Sequence, residues 1–163
     1  MVFQLKTFQG VRYALFDYNR DGKAGGHADF DSIDVYQPNP HGLIRAIPYG
    51  QRIRLTGWKT GAAFAPAGAG AASFAVQDMG LGRVALRTGA AWVSVDARGG
   101  VGLRTGRPGQ AESFQWIETP TGELVLMSLR TNRFLRIDPA TQAVRADSPG
   151  PVPDGSDGVR LTW

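Results

Sequence analysis

The sequence predicts an all-β fold assembled from three repeated units of four short strands. Glycine and proline supply 22 and 10 of the 163 residues, so chain breakers recur too often for long helices. Apolar and polar residues alternate in short runs bounded by turn residues, as in Ile53/Leu55, Val84/Leu86, Val93/Val95, Val101/Leu103, Phe114/Trp116, Leu124/Leu126 and Leu135/Ile137. The same sequence of runs returns after about 40 residues, the spacing of a repeated supersecondary unit.

Residues 1–37 stand apart from this repeat. Phe3–Phe8, Val11–Phe16 and Phe30–Tyr36 read as strands, and Asp17–Gly26 reads as the loop joining the last two. Residues 38–43, with Pro38, Pro40 and Gly42, read as a linker. The apolar strands of residues 1–37 would leave an unpaired edge, which favours dimerisation or packing of this hairpin against the following domain.

Residues 82–121 and 122–163 are two clear copies of one unit. Gly82–Thr88 matches Gly122–Ser128, and Trp92–Asp96 matches Phe134–Asp138. Val101–Arg104 then matches Val144–Asp147, and Ser113–Ile117 matches Gly158–Trp163. Residues 44–81 form a shorter copy, opened by Gln51–Gly57 and closed by Ser73–Gln77. Its Ala- and Gly-rich stretch 61–72 is expected to take the place of two strands. Three four-stranded units are the layout of a β-trefoil: no unit buries its own apolar face, so three close around a pseudo-threefold axis.

Within residues 44–163, Val84-Ala85-Leu86-Arg87, Trp92-Val93-Ser94-Val95-Asp96 and Glu112-Ser113-Phe114-Gln115-Trp116 resemble fascin-like trefoils, a style shared by trefoil modules of sugar-acting enzymes. The run Gly25-Gly26-His27-Ala28-Asp29-Phe30-Asp31-Ser32-Ile33 resembles the last strand of a concanavalin-like jelly roll, with Phe8–Phe16 as the strand before it. In that setting it is similar to the tail of bacterial family 43 glycoside hydrolases, the β-xylosidase and arabinofuranosidase group. These enzymes join a five-bladed propeller to such a sandwich. The resemblance implies a C-terminal piece of a longer, periplasmic or secreted bacterial enzyme. That piece lacks the propeller and its catalytic carboxylates, so no catalytic residue carries over.

Composition excludes several chemistries. The chain has no cysteine, which removes disulfides, thiol catalysis and Cys-based zinc sites. The net charge is +4, and 15 of the 18 basic residues are Arg. They are spread singly along alternating strands rather than clustered, the pattern of a solvated sheet face and not of a nucleic-acid footprint. The uncharged stretch Gly61–Val76 is too short and too rich in Ala and Gly to span a bilayer. The N-terminus lacks the layout of a signal peptide, so any export signal is expected outside this chain, or there is none.

Asp17-x-Asn19-x-Asp21-Gly22 places three oxygen donors at alternate positions of a tight loop, as in the first half of a calcium loop. The EF-hand Glu is replaced by Ala28 and the flanks read as strands, so a calcium turn would recruit Asp31 or Asp29 instead. A plain polar hairpin turn needs the same residues. For catalysis, His27 and His41 stand alone in loops, and Glu112, Glu118 and Glu123 read as solvated surface acids. No nucleophile elbow or paired acid is evident, and the chain is expected not to be an enzyme by itself.

Sugar binding needs an aromatic face and directional polar groups. The second unit offers Trp92 with Asp96; the third offers Phe134 and Asp138 with Asn132 and Arg136. The competing reading makes the rings core residues and the two Asp turn caps. Trp58, beside Lys59 and Thr60, has no counterpart in the other units, so the repeat does not account for it. The expected function is a non-catalytic carbohydrate-binding accessory module for xylan or arabinoxylan. The alternative is a structural or protein-interaction trefoil of the fascin kind.

Overall fold

The computed structural model describes Gly22, Asn39, residues 42–70 and residues 73–163. The chain forms two compact units, Met1–Gln37 and Pro38–Trp163. All strands given below belong to the second. The three strands expected before residue 37 lie outside the described residues.

Among the described residues the first unit of the repeat contributes β1 (Arg52–Arg54), β2 (Thr56–Gly57) and β3 (Ser73–Gly80). The second contributes β4 (Arg83–Thr88), β5 (Ala91–Val95), β6 (Val101–Thr105), a 3-10 turn at Gln110–Glu112, and β7 (Phe114–Glu118). The third contributes β8 (Leu124–Ser128), β9 (Arg133–Ile137), β10 (Val144–Ser148) and β11 (Leu161–Thr162).

The strand order β1-β3-β4-β7-β8-β11-β2 closes on itself, because β1 and β2 are halves of one extended segment parted only by Leu55. The result is an antiparallel barrel of six segments, two from each unit. Its register sets Ile53 against Phe74, Val76 against Leu86, Val84 against Phe114, Trp116 against Leu126, and Leu161 against Leu124. Every second residue therefore points inward. None of these side chains is more than 7% exposed. The seam between β11 and β2 is short: Leu161 pairs with Gly57 and Thr162 with Thr56, whose hydroxyls share a hydrogen bond of 2.7 Å.

Hairpins β5–β6 and β9–β10 cap one end of the barrel, with Val93, Val95, Leu135 and Ile137 buried. Register identifies their counterpart in the first unit. Trp92 pairs with Arg87, Phe134 with Met127, and Ala63 with Thr56. Phe64 thus takes the place of Val93 and Leu135, and it is 1% exposed, edge-on to Phe74 at 5.7 Å. Instead of two strands, the described part of 61–72 makes single bridges, Thr56 to Ala63 and Ala67 to Gly102. Pro66 has no N–H to give a ladder, and Ala and Gly have little to pack on a pleated surface. Anchorage comes instead from Phe64 and its N–H to the Leu55 carbonyl at 2.9 Å.

Adjacent units are stitched together at the cap. Ala67 N–H donates to Val101 O at 3.0 Å, and Ala146 N–H donates to Gly99 O at 2.8 Å. Gly99 has φ +79°, and a Cβ there would lie 2.8 Å from the Ala146 carbonyl oxygen. Only glycine permits that approach. The closing strand of the third unit is shorter than the expected Gly158–Trp163, because Gly158 instead accepts the Ile137 N–H at 3.0 Å outside the barrel ladder.

Candidate functional site

The two Asp residues singled out in the sequence are turn caps. Asp96 Oδ1 accepts the N–H groups of Arg98 and Gly100 at 2.7 and 2.9 Å, closing the β5–β6 hairpin. The Gly100 and Arg98 amides hold its carboxyl below the usual carboxylate range. Asp138 does the same in the third unit. It accepts from Thr141 N–H at 2.9 Å, Ala140 N–H at 3.0 Å and Arg136 Nη1 at 2.7 Å. With the Thr141 amide foremost and Arg136 next, its pKa falls to about 2.

Trp92 is half-buried. Its Nε1 donates to Gly106 O at 2.8 Å, and the Arg87 guanidinium lies 5.8 Å from its ring. Asn132 is exposed at φ 52°, a left-handed turn conformation that Asn tolerates. Strand β9 separates it from Asp138 by roughly 20 Å at ~3.3 Å per residue, so the two do not share a site. Arg136 does meet Asp138, and its Nε also donates to Asp147 at 2.7 Å. Trp58 is 41% exposed, yet the fold does account for it. The ring lies against Gly155, where a Cβ would fall 2.7 Å from it, and the Arg160 guanidinium sits 5.4 Å from its centroid. The partner is the loop between β10 and β11, which sequence comparison of the units does not reveal. Asp17, Asn19, Asp21 and Asp31 lie outside the described residues.

The three glutamates read as solvated acids are buried. Glu112, Glu118 and Glu123 are 1%, 7% and 4% exposed. Glu112 Oε2 caps the 3-10 turn through Gly109 N–H at 2.8 Å, while Oε1 accepts the Ser94 hydroxyl at 2.8 Å and Arg104 Nη1 at 3.3 Å. Burial pushes its pKa up, but the Gly109, Ser94 and Arg104 donors outweigh that and hold it low. Glu118 accepts from Trp163 Nε1 and pairs with Arg45 at 3.3 Å, whose guanidinium stacks 4.0 Å over the Trp163 ring. Glu123 is held by the hydroxyls of Thr119 and Thr121, and burial again loses to these donors. The carboxylates are committed to structure. Glu118 continues the inward alternation of Phe114 and Trp116, a signal the sequence reading passed over, whereas Glu112 and Glu123 lie outside the strands, where alternation says nothing.

A concavity lies between the β5–β6 hairpin and the third unit. It is an open groove of about 560 Å³ lined by Ser94, Asp96, Leu103, Arg104, Val144 and Arg145 among others. That volume is within the small-molecule range. Register explains its polar wall: Trp92 pairs with Arg104 and Ser94 with Gly102, so these four share the face opposite the buried Val93 and Val95. Gly102 leaves the face open, and Glu112 sits behind it orienting Ser94 and Arg104. Asp96 reaches this groove; Trp58, Asn132, Arg136 and Asp138 do not line it. The period-two parity of β5 and β6 was the signal that could have found Ser94 and Arg104. Among the described residues no group of three or more His, Cys, Asp or Glu converges as a metal site would require.

No protein family matches the chain, and no curated protein matches it. Among solved structures it is similar to the designed threefold-symmetric protein ThreeFoil, with 17% identity over 68% of this chain and 95% of that one at a TM-score of 0.56. It is also similar to the BEL beta-trefoil (apo crystal form 3), with 16% identity over 73% of this chain and 95% of that one, again at 0.56. At these identities the likeness shows the fold, and the fold is a β-trefoil.

Proposed function

We propose that this chain is a non-catalytic module that binds carbohydrate through the groove beside the β5–β6 hairpin. The observation that supports it is the groove's make-up. Apolar walls at Leu103 and Val144 face donors and acceptors at Ser94, Asp96, Arg104 and Arg145. A sugar ring presents the same mixture, with apolar C–H faces ringed by hydroxyls. Ser94 donates to Glu112, so its oxygen is free to accept, and the Arg104 side chain, 65% exposed, keeps donors in solvent. The jelly-roll-like run Gly25–Ile33 makes a xylose- or arabinose-containing polysaccharide the first ligand to test, and a plant-polysaccharide hydrolase the expected parent chain.

Titration with xylo-oligosaccharide and arabinoxylan fragments, followed by amide shifts, tests the reading. Shifts at Ser94, Gly102 and Arg104 should saturate near millimolar ligand, about −4 kcal/mol, and Arg104→Gln should weaken them. If Trp58→Ala abolishes the response while Arg104→Gln leaves it intact, the surface lies at Trp58 instead. Silence up to tens of millimolar ligand hands the fold to the structural, protein-interaction alternative.

A further inference from the structure

We propose a second binding site, on the far side of the same hairpin turn, that takes the oxyanion groups of an acidic saccharide. It rests on the carbohydrate reading above and extends it from neutral to charged sugars. The turn Asp96–Gly100 lines two hollows. Asp96 and Gly100 face the groove already described, whereas Ala97, Arg98 and Gly99 face a cleft of about 420 Å³. The opposite wall of that cleft is the β8–β9 turn, with Arg130, Thr131 and Arg133, and its remaining side is Ala146 and Asp147 of β10.

Three exposed arginines from two units thus converge on one hollow. Among the described residues none of the three has a carboxylate within ion-pair distance, although Arg45, Arg104, Arg136, Arg145 and Arg160 all do. The one acid on the wall is already taken. Asp147 accepts from Arg136 Nε at 2.7 Å and from Arg145 Nε at 2.8 Å, so it does not neutralise the three. The cleft is also built rather than incidental. Ala146 N–H binds Gly99 O at 2.8 Å, Thr131 Oγ1 binds Ala146 O at 3.2 Å, and the close approach at Gly99 tolerates no side chain. Guanidinium forks match sulfate and carboxylate oxygens in bidentate geometry.

A saccharide fits better than a nucleic acid. Among the described residues no aromatic lines the cleft to stack a base, and the three arginines form a local cluster rather than a continuous track. A saccharide chain lying over the turn would present hydroxyls to the groove and an anionic group to the arginines.

The test uses the full chain and calorimetric and amide-shift titrations at low and high salt. The probes are an oligogalacturonate, which carries carboxylates alone, a heparin-derived hexasaccharide, which carries sulfate esters, neutral xylohexaose, inorganic phosphate and a single-stranded DNA oligonucleotide. At least one acidic saccharide should bind more tightly than xylohexaose, with shifts at Arg98, Arg130, Thr131 and Arg133, and the two acidic probes tell carboxylate from sulfate ester. The triple variant Arg98→Gln, Arg130→Gln, Arg133→Gln should weaken that binding by about tenfold or more, the loss of at least one charge-assisted hydrogen bond. A control triple of equal charge, Arg52→Gln, Arg54→Gln, Arg107→Gln, should change it by less than about threefold.

Equal losses in the two triples reduce the effect to general charge and overturn the proposal. So does DNA or free phosphate binding the cleft as well as the saccharides, or no acidic saccharide binding at all. Xylohexaose shifting the groove while acidic probes leave the cleft silent ends this inference and spares the neutral-sugar reading. Acidic probes filling the cleft while xylohexaose is inert does the reverse.

Discussion

Glu112→Ala should cost the β-trefoil about 3 kcal/mol, even though Glu112 lies on a loop outside the barrel. The carboxylate ties together β5, β6 and the 3-10 turn, and its residue is 1% exposed. Arg104 adds little, because its side chain is 65% exposed and the pair is screened. The loss comes from the Gly109 N–H and the Ser94 hydroxyl, each 2.8 Å from the carboxylate. Hydrogen bonds to a charged acceptor are worth about 1.5–3 kcal/mol each, and because both donors are only part-buried, water recovers some of the loss. For a unit of this size 3 kcal/mol is roughly a 10 °C fall in Tm. Glu112→Gln keeps the oxygen but turns an NH2 toward one donor, and should lose about half as much. Urea unfolding followed by Trp fluorescence measures both. Acid provides an independent check. The folded pKa lies below the ordinary 4.5, so the carboxylate's contribution is complete above that value and fades as pH falls through the folded pKa. The gap between wild type and Glu112→Ala should therefore be full at neutral pH and narrow in acid. A gap under about 0.5 kcal/mol at neutral pH, or one that does not narrow, refutes the reasoning. Because Ser94 and Arg104 lose their orientation, ligand shifts in the groove should weaken as well.

The Asp138 carboxyl carbon should titrate by NMR with a midpoint about 2, below the ordinary 3.8, and a midpoint at the ordinary value would show that the Thr141 and Arg136 contacts do not persist in solution. Phe64→Ala should lose about 3–5 kcal/mol in chemical denaturation, since a 1%-exposed ring is the main anchor of the first unit's cap; a loss below about 1 kcal/mol would mean the segment collapses without it. Gly99→Ala should destabilise by more than about 1 kcal/mol, from a left-handed φ and a backbone clash that no rotamer relieves, and a neutral result would show that the two units part easily there. Millimolar calcium should raise Tm, with Asp21→Ala removing the rise, if the Asp17, Asn19 and Asp21 turn holds the ion; an unchanged melt with calcium and with EDTA leaves the plain turn.

The barrel was legible because its signal is periodic. Alternation fixes which residues of β4, β7 and β8 point inward, and repetition of the Leu and Phe/Trp positions assigns them to equivalent places. Phe64 was not legible, because Ala, Gly and Pro hide the alternation until the Thr56 to Ala63 bridge sets the register. The caps at Asp96 and Asp138 were foreseen as one of two readings, since a sequence shows that Asp follows a strand but not which amides fold back onto it. The packing of Trp58 was hidden for a related reason: its neighbours Gly155 and Arg160 belong to another unit, while its partial exposure agrees with the reading of an unmatched loop aromatic. The partners of the buried glutamates were invisible, because Ser94 and Gly109 for Glu112, and Arg45 and Trp163 for Glu118, converge only in three dimensions.

The seam of the barrel has a consequence for how the protein comes into being on the ribosome. Two residue pairs, Leu161 with Gly57 and Thr162 with Thr56, join the end of the ring to its beginning across more than a hundred residues of chain. Until residue 162 has cleared the exit tunnel, Gly57 of β2 and Leu124 of β8 lack their partner on β11, and only the Thr56 to Ala63 bridge and the β9 pairing cover part of those edges. Vectorial synthesis therefore cannot fold this unit piecemeal, and closing a contact of such sequence separation is intrinsically slow. Nascent chains arrested short of that point should stay sensitive to protease, with resistance arriving in one step once the last strand is released. The exposed edges make the interval before closure the time of greatest aggregation risk in the molecule's life.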